Sequence, residues 1–306
     1  VQGKIIITNI TLRNGLETRD AIFEVINNSL HLAISPNATN VLHIRLRIIL
    51  PFIIRALREL NTSNVKFIIN LCDESDLENK YDIPYICLTK DVRSNHKLIP
   101  NIDFFSGLML RLLRESRNDI DYKSKTNGSC FVGSSTNGIK RIRYCHEMLD
   151  DPIHFAKISN LCQINKSEIV SSFPRIDECL THYMSVKDQL KYKILVNIDG
   201  NSVCWSRLYW QLNSNSIPVY VEKHKYFTQY FDQIMPEDCY FKCDFENYKN
   251  TFDYILNPSN SNHVNMINEN GKNFCKKAFN QYLSAPQDFL VNIIKEVITE
   301  IKNENM

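Results

Sequence analysis

Several features are scarce in this chain, and each scarcity excludes something. No apolar run approaches the roughly 18–20 residues that a membrane-spanning helix needs. The greasiest stretch, Ile48–Ile54, is bracketed by Arg45, Arg47 and Arg55 and interrupted by Pro51. Charge of one sign is not in excess. Lys and Arg number 36 against 34 Asp and Glu, a formal net charge of +2, so the composition calls for neither nucleic acid nor an anionic membrane as partner. A local basic patch for a phosphorylated ligand remains compatible with that balance. The ten cysteines are scattered, and the closest pair, Cys239 and Cys243, has no second pair to complete a zinc site. No metal site is expected. Cys72, Cys130 and Cys204 adjoin apolar segments, where free cysteine packs as a small hydrophobe; a reducing, cytoplasmic compartment is the expectation. No G-x-G-x-x-G follows any strand, which argues against an enzyme holding a dinucleotide. There is no internal repeat and no biased tract beyond an abundance of Asn, which accounts for sequons such as those at Asn37 and Asn165. No signal peptide is visible at Val1 and no initiating Met is present, so the chain is read as compatible with one module of a larger polypeptide.

What is present fills two domains. The 306 residues are 43% apolar and 23% charged, enough for real cores. Lys4–Ile10 reads as a first strand. Ala21–Leu32 has helical spacing at Ile22, Val25, Ile26 and Leu30. Val41–Leu60 reads as an amphipathic helix kinked or split at Pro51. Val65–Leu71 and Tyr85–Thr89 read as strands, and Phe104–Arg114 as an apolar helix. The pattern restarts near residue 127 with a strand at Cys130–Val132, the loop Gly133–Gly138 and a basic helix carrying Lys140, Arg141 and Arg143. The stretch 155–174 carries no clear pattern. Helices are expected over 245–256, 264–283 and 289–303. Alternation of strands and helices argues for α/β domains with parallel sheets, divided as 1–126, 127–284 and a terminal helix over 285–306.

The chain is organised around Lys191–Glu222, KYKILVNIDGNSVCWSRLYWQLNSNSIPVYVE. The apolar run Ile194–Ile198 has the length of a buried strand, and Asp199-Gly200-Asn201 is a turn signal. Ser202 is placed to cap a helix carrying Trp205, Leu208, Tyr209 and Leu212 at helical spacing. Ile217–Val221 reads as the next strand. In such a βαβ unit the helix N-terminus favours phosphate, and Arg207 can add a fork of donors to a diphosphate. The plainer alternative is an ordinary strand-to-helix turn with Arg207 as a solvated charge.

The run KYKxLxNIDGNxxxWSRLYWxLxSNS, with its lead-in THYMSVKDQLKYK, closely resembles the C-terminal motif of glycosyltransferase family 90. This is the group of Rumi-like protein O-glucosyltransferases, capsule-associated xylosyltransferases and lipopolysaccharide-type enzymes. Further upstream, Ile69-Asn70-Leu71-Cys72-Asp73 is similar to the family's strand ending Ile-Asn-x-x-Asp. Leu98–Phe105 resembles its Pro-x-x-x-Phe segment. Phe131-Val132-Gly133-Ser134-Ser135-Thr136 resembles its Phe-Arg-Gly-Ser-Arg-Thr motif but carries Val132 and Ser135 where the family has Arg. The likeness covers about residues 65–289.

The resemblance implies a GT-B fold, two Rossmann-like domains facing each other across a cleft, with the terminal helix crossing back to the first. It implies an inverting, metal-independent transfer of glucose or xylose from a UDP-sugar to a hydroxyl of a glycan or protein. In that reading Asp73 is the general base, its carboxyl moderately raised by burial or by Glu74 and Asp76; the alternative is a solvated acidic loop. Gly133, Ser134, Ser135, Asp199, Gly200, Ser202, Ser206 and Arg207 line the nucleotide-sugar site. Lys140 or Arg141 replaces the missing arginine and, with Arg207, stabilises the departing diphosphate. Glu222 meets ribose hydroxyls, or is an exposed strand-end residue. Asp103, Phe104 and Phe105 shape the sugar and acceptor pocket, or the two rings simply begin a core helix. Trp205 and Tyr209 are read as core and His182 as a cap or surface residue. No Asp-x-Asp is read as a metal–nucleotide holder, and no cofactor beyond the UDP-sugar donor is expected. The other reading kept open is a non-catalytic relative that binds glycan or nucleotide.

Overall fold

The computed structural model describes residues 6–73, 81–136 and 139–304. It contains two compact units, one of Val1–Leu108, Tyr226–Ile234 and Gln281–Met306 and the other of Met109–Lys225 and Met235–Asn280. Both are α/β.

In the first unit, β1 (Ile6–Leu12) is followed by β2 (Asp20–Ile26) and β3 (Ser29–Ile34), then α1 (Asn40–Glu59), β4 (Asn64–Asn70), β5 (Tyr85–Cys87), β6 (Thr89–Asp91), β7 (Lys97–Leu98) and α2 (Ile102–Phe105). Segment 21–32 is therefore a hairpin and not the helix its spacing predicts. Its turn is Asn27-Asn28, with φ of 48° and 64°, the left-handed pair that a two-residue hairpin requires and that Asn tolerates. β2 lies between β3 and β4, antiparallel to both, and its successive residues are buried with little interruption, so no alternation marks it as a strand. The six-stranded sheet runs β1-β3-β2-β4-β5-β7. It is mixed, since β1–β3, β4–β5 and β5–β7 pair in parallel. α1 is capped by Thr39, whose side chain accepts from the Leu42 amide, and buries Leu42, Leu46, Ile49, Ile53, Ala56 and Leu57. It runs unbroken through Pro51. Pro51 and Arg47 both face solvent, so the carbonyl that loses its donor can turn to water.

The second unit opens with α3 (Leu108–Arg117), β8 (Thr126–Ser134), α4 (Lys140–Glu147) and β9 (Phe155–Asn160). The short helices α5 (Lys166–Ile169), α6 (Ile176–Cys179) and α7 (Val186–Gln189) lead to β10 (Tyr192–Ile198), α8 (Ser206–Leu212) and β11 (Ile217–Val221). β12 (Phe227–Gln229) belongs to the first unit, where it pairs antiparallel with β6. β13 (Phe241–Cys243), α9 (Tyr248–Leu256) and most of α10 (Ser261–Ser284) complete the second unit. α11 (Pro286–Glu304) lies against α1 in the first, with Arg55 bonded to Asp288 and Lys295 to Glu59.

The second sheet is wholly parallel, in the order β13-β11-β10-β8-β9. Counted from its first strand this is 2-1-3-4-5, the doubly wound order whose switch point lies between its first and third strands, β8 and β10. One face buries Phe131, Ile158, Ile194, Val196, Ile198, Val219 and Val221 against Ile142, Tyr144 and Cys145 of α4 and Tyr248, Phe252 and Ile255 of α9. The alternate residues face the other way, where Asn197 donates to Gln211 of α8. An ion pair of Lys125 with Asp119, 2.7 Å apart and all but inaccessible, ties the entry of β8 to the loop after α3.

His154, just before β9, is held by β8. Its Nδ1 lies 3.1 Å from the Ser129 amide and 2.8 Å from Ser129 Oγ. The amide can only donate, so Nδ1 is an acceptor and the ring is neutral. Burial pushes the His154 value below its ordinary 6.5, against the opposing charge of Asp151. A depressed folded value contributes stability that is present above the unfolded value and lost as pH falls through the folded one. The melting temperature of the wild type is therefore expected to fall between pH 7 and pH 5.5, and the slope to flatten in His154→Gln. Equal slopes would exclude this role.

Candidate functional site

The carboxyl ends of β8 and β10 bring the two sequence motifs together at the switch point. Gly133 and Ser134 end β8, and Asp199 and Gly200 follow β10. α4 and α8 then supply two guanidiniums. Arg141 donates from Nε and Nη2 to the Ile198 carbonyl at 3.0 and 2.8 Å, and from Nη1 to the Ser134 carbonyl at 2.9 Å and Thr136 Oγ1 at 2.7 Å. It braces the ends of both strands against each other. Arg207 Nη2 donates to the Val132 carbonyl, while its Nη1 is buried and has no hydrogen-bond partner among the described residues. Both guanidiniums lie near the Phe131 ring, 6.0 Å (Arg141) and 5.2 Å (Arg207) from its centroid. Among the described residues neither is ion-paired with a carboxylate. Burial, and after it the neighbouring Arg141 charge, pushes the Arg207 value below its ordinary one. Two like charges held together at a strand edge constitute a site that favours an anion.

The glycines fit this crowding. A Cβ on Gly133 would sit 3.1 Å from Arg207 Nη2, and one on Gly200 would sit 2.8 Å from Thr136 Oγ1 and 3.2 Å from Arg141 Nη2. Gly200→Ala must displace the short Thr136 side chain and with it the Arg141 brace. A loss of about 1–3 kcal/mol in denaturant unfolding is expected, the usual scale for overpacking; an unchanged midpoint would show that the contact relaxes freely.

The remaining residues of this region take individual roles. Asp199 is 3% exposed. One oxygen accepts from the Tyr220 hydroxyl and the Cys204 amide, the other from the His224 amide. Burial pushes its carboxyl up, and these bonds partly offset the rise. Its carboxylate thus ties together the loops after β10 and β11. Ser202 is buried in the loop and does not cap a helix, because α8 starts at Ser206 with Trp205 at the N-cap and no side-chain cap bond. The five residues between Gly200 and Ser206 are held by Asp199 instead. Tyr209 is fully buried and Trp205 only partly. Ser135 is buried, its hydroxyl donating to the Cys162 carbonyl and accepting from the Cys162 amide. Glu222, at a φ of 49°, forms a 3.0 Å ion pair with Lys140. His182 is exposed. Sequence reasoning did not single out Thr136, Tyr220 or His224; only their adjacency to motif residues signalled them.

In the first unit Asp73 follows β4 and is about one-third exposed. Its Oδ1 lies 2.8 Å from Arg45 Nη2, and Arg45 Nη1 donates to the Leu71 carbonyl at 2.6 Å. The carboxylate therefore sits beside an arginine of α1. Glu74 and Asp76, invoked as neighbouring carboxylates, lie outside the described residues. Phe104 packs on Phe231 and Tyr282, and Phe105 on Phe52, so both rings are core. Asp103 lies in α2, capped by Asn101, and is partly exposed. Asp119-Ile120-Asp121 does have Asp-x-Asp spacing, but Asp119 is engaged by Lys125 and the Asn215 amide.

The chain matches no protein-family model and no curated protein. No helix among the described residues is long and apolar enough to cross a membrane.

Proposed function

We propose that this chain is an inverting glycosyltransferase of the GT-B type, moving glucose or xylose from a UDP-sugar to a hydroxyl of a glycan or protein. The observation that carries the reading is the pair of guanidiniums at the switch point of a parallel sheet, one with a buried nitrogen that has no partner among the described residues. Departure of UDP from the anomeric carbon develops charge on the diphosphate. Preorganised cationic donors at that oxygen stabilise the transition state more than the ground state. Arg207 is assigned to the diphosphate, with Arg141 holding the strand ends and adding field. Asp73 is assigned to the acceptor, whose hydroxyl proton it takes as the oxygen attacks. The resemblance of Lys191–Ser216 to family 90 supplies the donor class. It also accounts for charge neutralisation by side chains, so activity is expected to survive chelation.

One observation favours a second reading, a binding module without turnover. Arg141 braces the strand ends and Lys140 is ion-paired with Glu222, so both residues offered in place of the missing arginine already have partners within the protein. A donor screen separates the readings. Purified protein is incubated with a panel of UDP- and GDP-sugars, with and without EDTA, and released nucleotide is measured. Release of UDP from one donor, unchanged by EDTA, is the expected result. If no donor is turned over and none shifts the melting temperature, the transferase reading fails.

A further inference from the structure

We infer that Asp20 is a positioning residue for Asp73, acting through Asn70 and oriented by Tyr85. The inference rests on the reading of Asp73 as general base, but its geometry is independent of that reading.

Asp20 is the first residue of β2 and pairs across the sheet with Asn70, the last residue of β4. It is fully buried. Its Oδ1 accepts from the Tyr85 hydroxyl at 2.6 Å and from Asn70 Nδ2 at 2.8 Å. Asn70 Oδ1 in turn accepts from the Cys72 amide at 2.9 Å. The next residue is Asp73. A carboxylate only accepts, so it dictates which way round the Asn70 amide sits. The NH2 must face Asp20, and the carbonyl oxygen is left to hold the Cys72 amide. Arg45 grips the same three-residue turn from the other side, through the Leu71 carbonyl and the Asp73 carboxylate. The Leu71 amide also donates to the Arg19 carbonyl at 3.5 Å; of these holds on the backbone from Asn70 to Asp73, Asp20 determines the one through Cys72.

Stability alone gives no reason for this arrangement. A carboxylate with no cationic partner among the described residues is costly to bury, and burial raises the Asp20 carboxyl despite its bonds to Tyr85 and Asn70. Burial likewise raises the Tyr85 hydroxyl, which keeps it a donor. The cost is offset where a reacting group has to be held within a fraction of an ångström, since small misplacements lower rates steeply.

The test compares Asp20→Ala, Asp20→Asn, Tyr85→Phe and Asp73→Asn. Two readouts are used: kcat and KM with the donor identified by the screen, and amide exchange at Cys72. Asp20→Ala is expected to lower kcat by roughly 10–100-fold with donor KM within about twofold, the signature of lost positioning and not of lost binding. Exchange at Cys72 should rise at least about tenfold while Val65–Ile69 stays protected, a local opening. Asp20→Asn keeps an oxygen for both donors and should recover kcat to within about threefold of wild type. Tyr85→Phe, which removes only the hydroxyl, should fall between them, and it serves if Asp20→Ala does not fold. Unchanged exchange and kcat in Asp20→Ala and Tyr85→Phe would overturn the inference. If Asp73→Asn keeps full activity while exchange at Cys72 rises in Asp20→Ala, the base assignment falls and the link through Asn70 stands. Exchange decides the link even if no donor is turned over.

Discussion

Arg207→Ala is expected to reduce donor turnover by about 10²–10³-fold, the scale for removing one preorganised donor to developing negative charge. The structure singles out this arginine over its neighbour. Arg141 makes four hydrogen bonds to two carbonyls and a hydroxyl and is a brace. Arg207 is anchored through one nitrogen to Val132, and its other terminal nitrogen is buried with no partner among the described residues. A buried donor of that kind costs free energy unless something supplies an acceptor. Under the proposed transfer, the acceptor is the diphosphate. Arg207→Lys keeps a charge but cannot both hold the Val132 carbonyl and present a second nitrogen, so it should recover little of the loss. The check is kcat together with the UDP dissociation constant by calorimetry, and UDP binding should weaken as well. A loss below about threefold in a folded variant would move the diphosphate away from Arg207.

The second large effect is at Asp73. Asp73→Asn should lower transfer to the acceptor by about 10²–10⁴-fold, the range attributed to a positioned base. The variant is nearly isosteric and still offers Arg45 an oxygen, so folding and UDP affinity are expected to be retained. The 2.8 Å contact of Arg45 Nη2 with Asp73 Oδ1 orients the carboxylate. Arg45→Ala should therefore reduce the rate less than Asp73→Asn, because it removes orientation and not the base. The two variants are compared by transfer rate at saturating donor, with circular dichroism as the folding control. Equal activity of Asp73→Asn and wild type would remove Asp73 from the chemistry.

The sequence by itself determined the centre of the second sheet, β8, β10 and β11. These are short apolar runs closed by turn residues, and helices follow β8 and β10, so those βαβ steps are local and pattern reveals them. β9 falls in the stretch 155–174 that carries no clear pattern, and the three-residue β13 is too short to give a signal of its own. The element from Lys191 to Glu222 falls where the spacing predicts, apart from the later start of α8. That shift came from Asp199, which bonds the Cys204 and His224 amides and holds five residues of loop where Ser202 had been read as a cap. A buried carboxylate accepting from distant amides leaves no local signature.

The first unit was less legible. Ile22, Val25, Ile26 and Leu30 carry helical spacing, yet they form two antiparallel strands, because a central strand buried on both faces lacks alternation and Asn-Asn is a weaker hairpin signal than Asn-Gly. The motif glycines and arginines were visible as residues, but their division of work was not. Only tertiary structure gave Arg141 to the Ile198 carbonyl, anchored Arg207 on the Val132 carbonyl, set Arg45 beside Asp73 and put Asp20 behind Asn70. Arg45–Asp73, Asp20–Asn70, Arg141–Ile198 and Arg207–Val132 are 28, 50, 57 and 75 positions apart, and no periodicity reports which side chain will claim a given carbonyl.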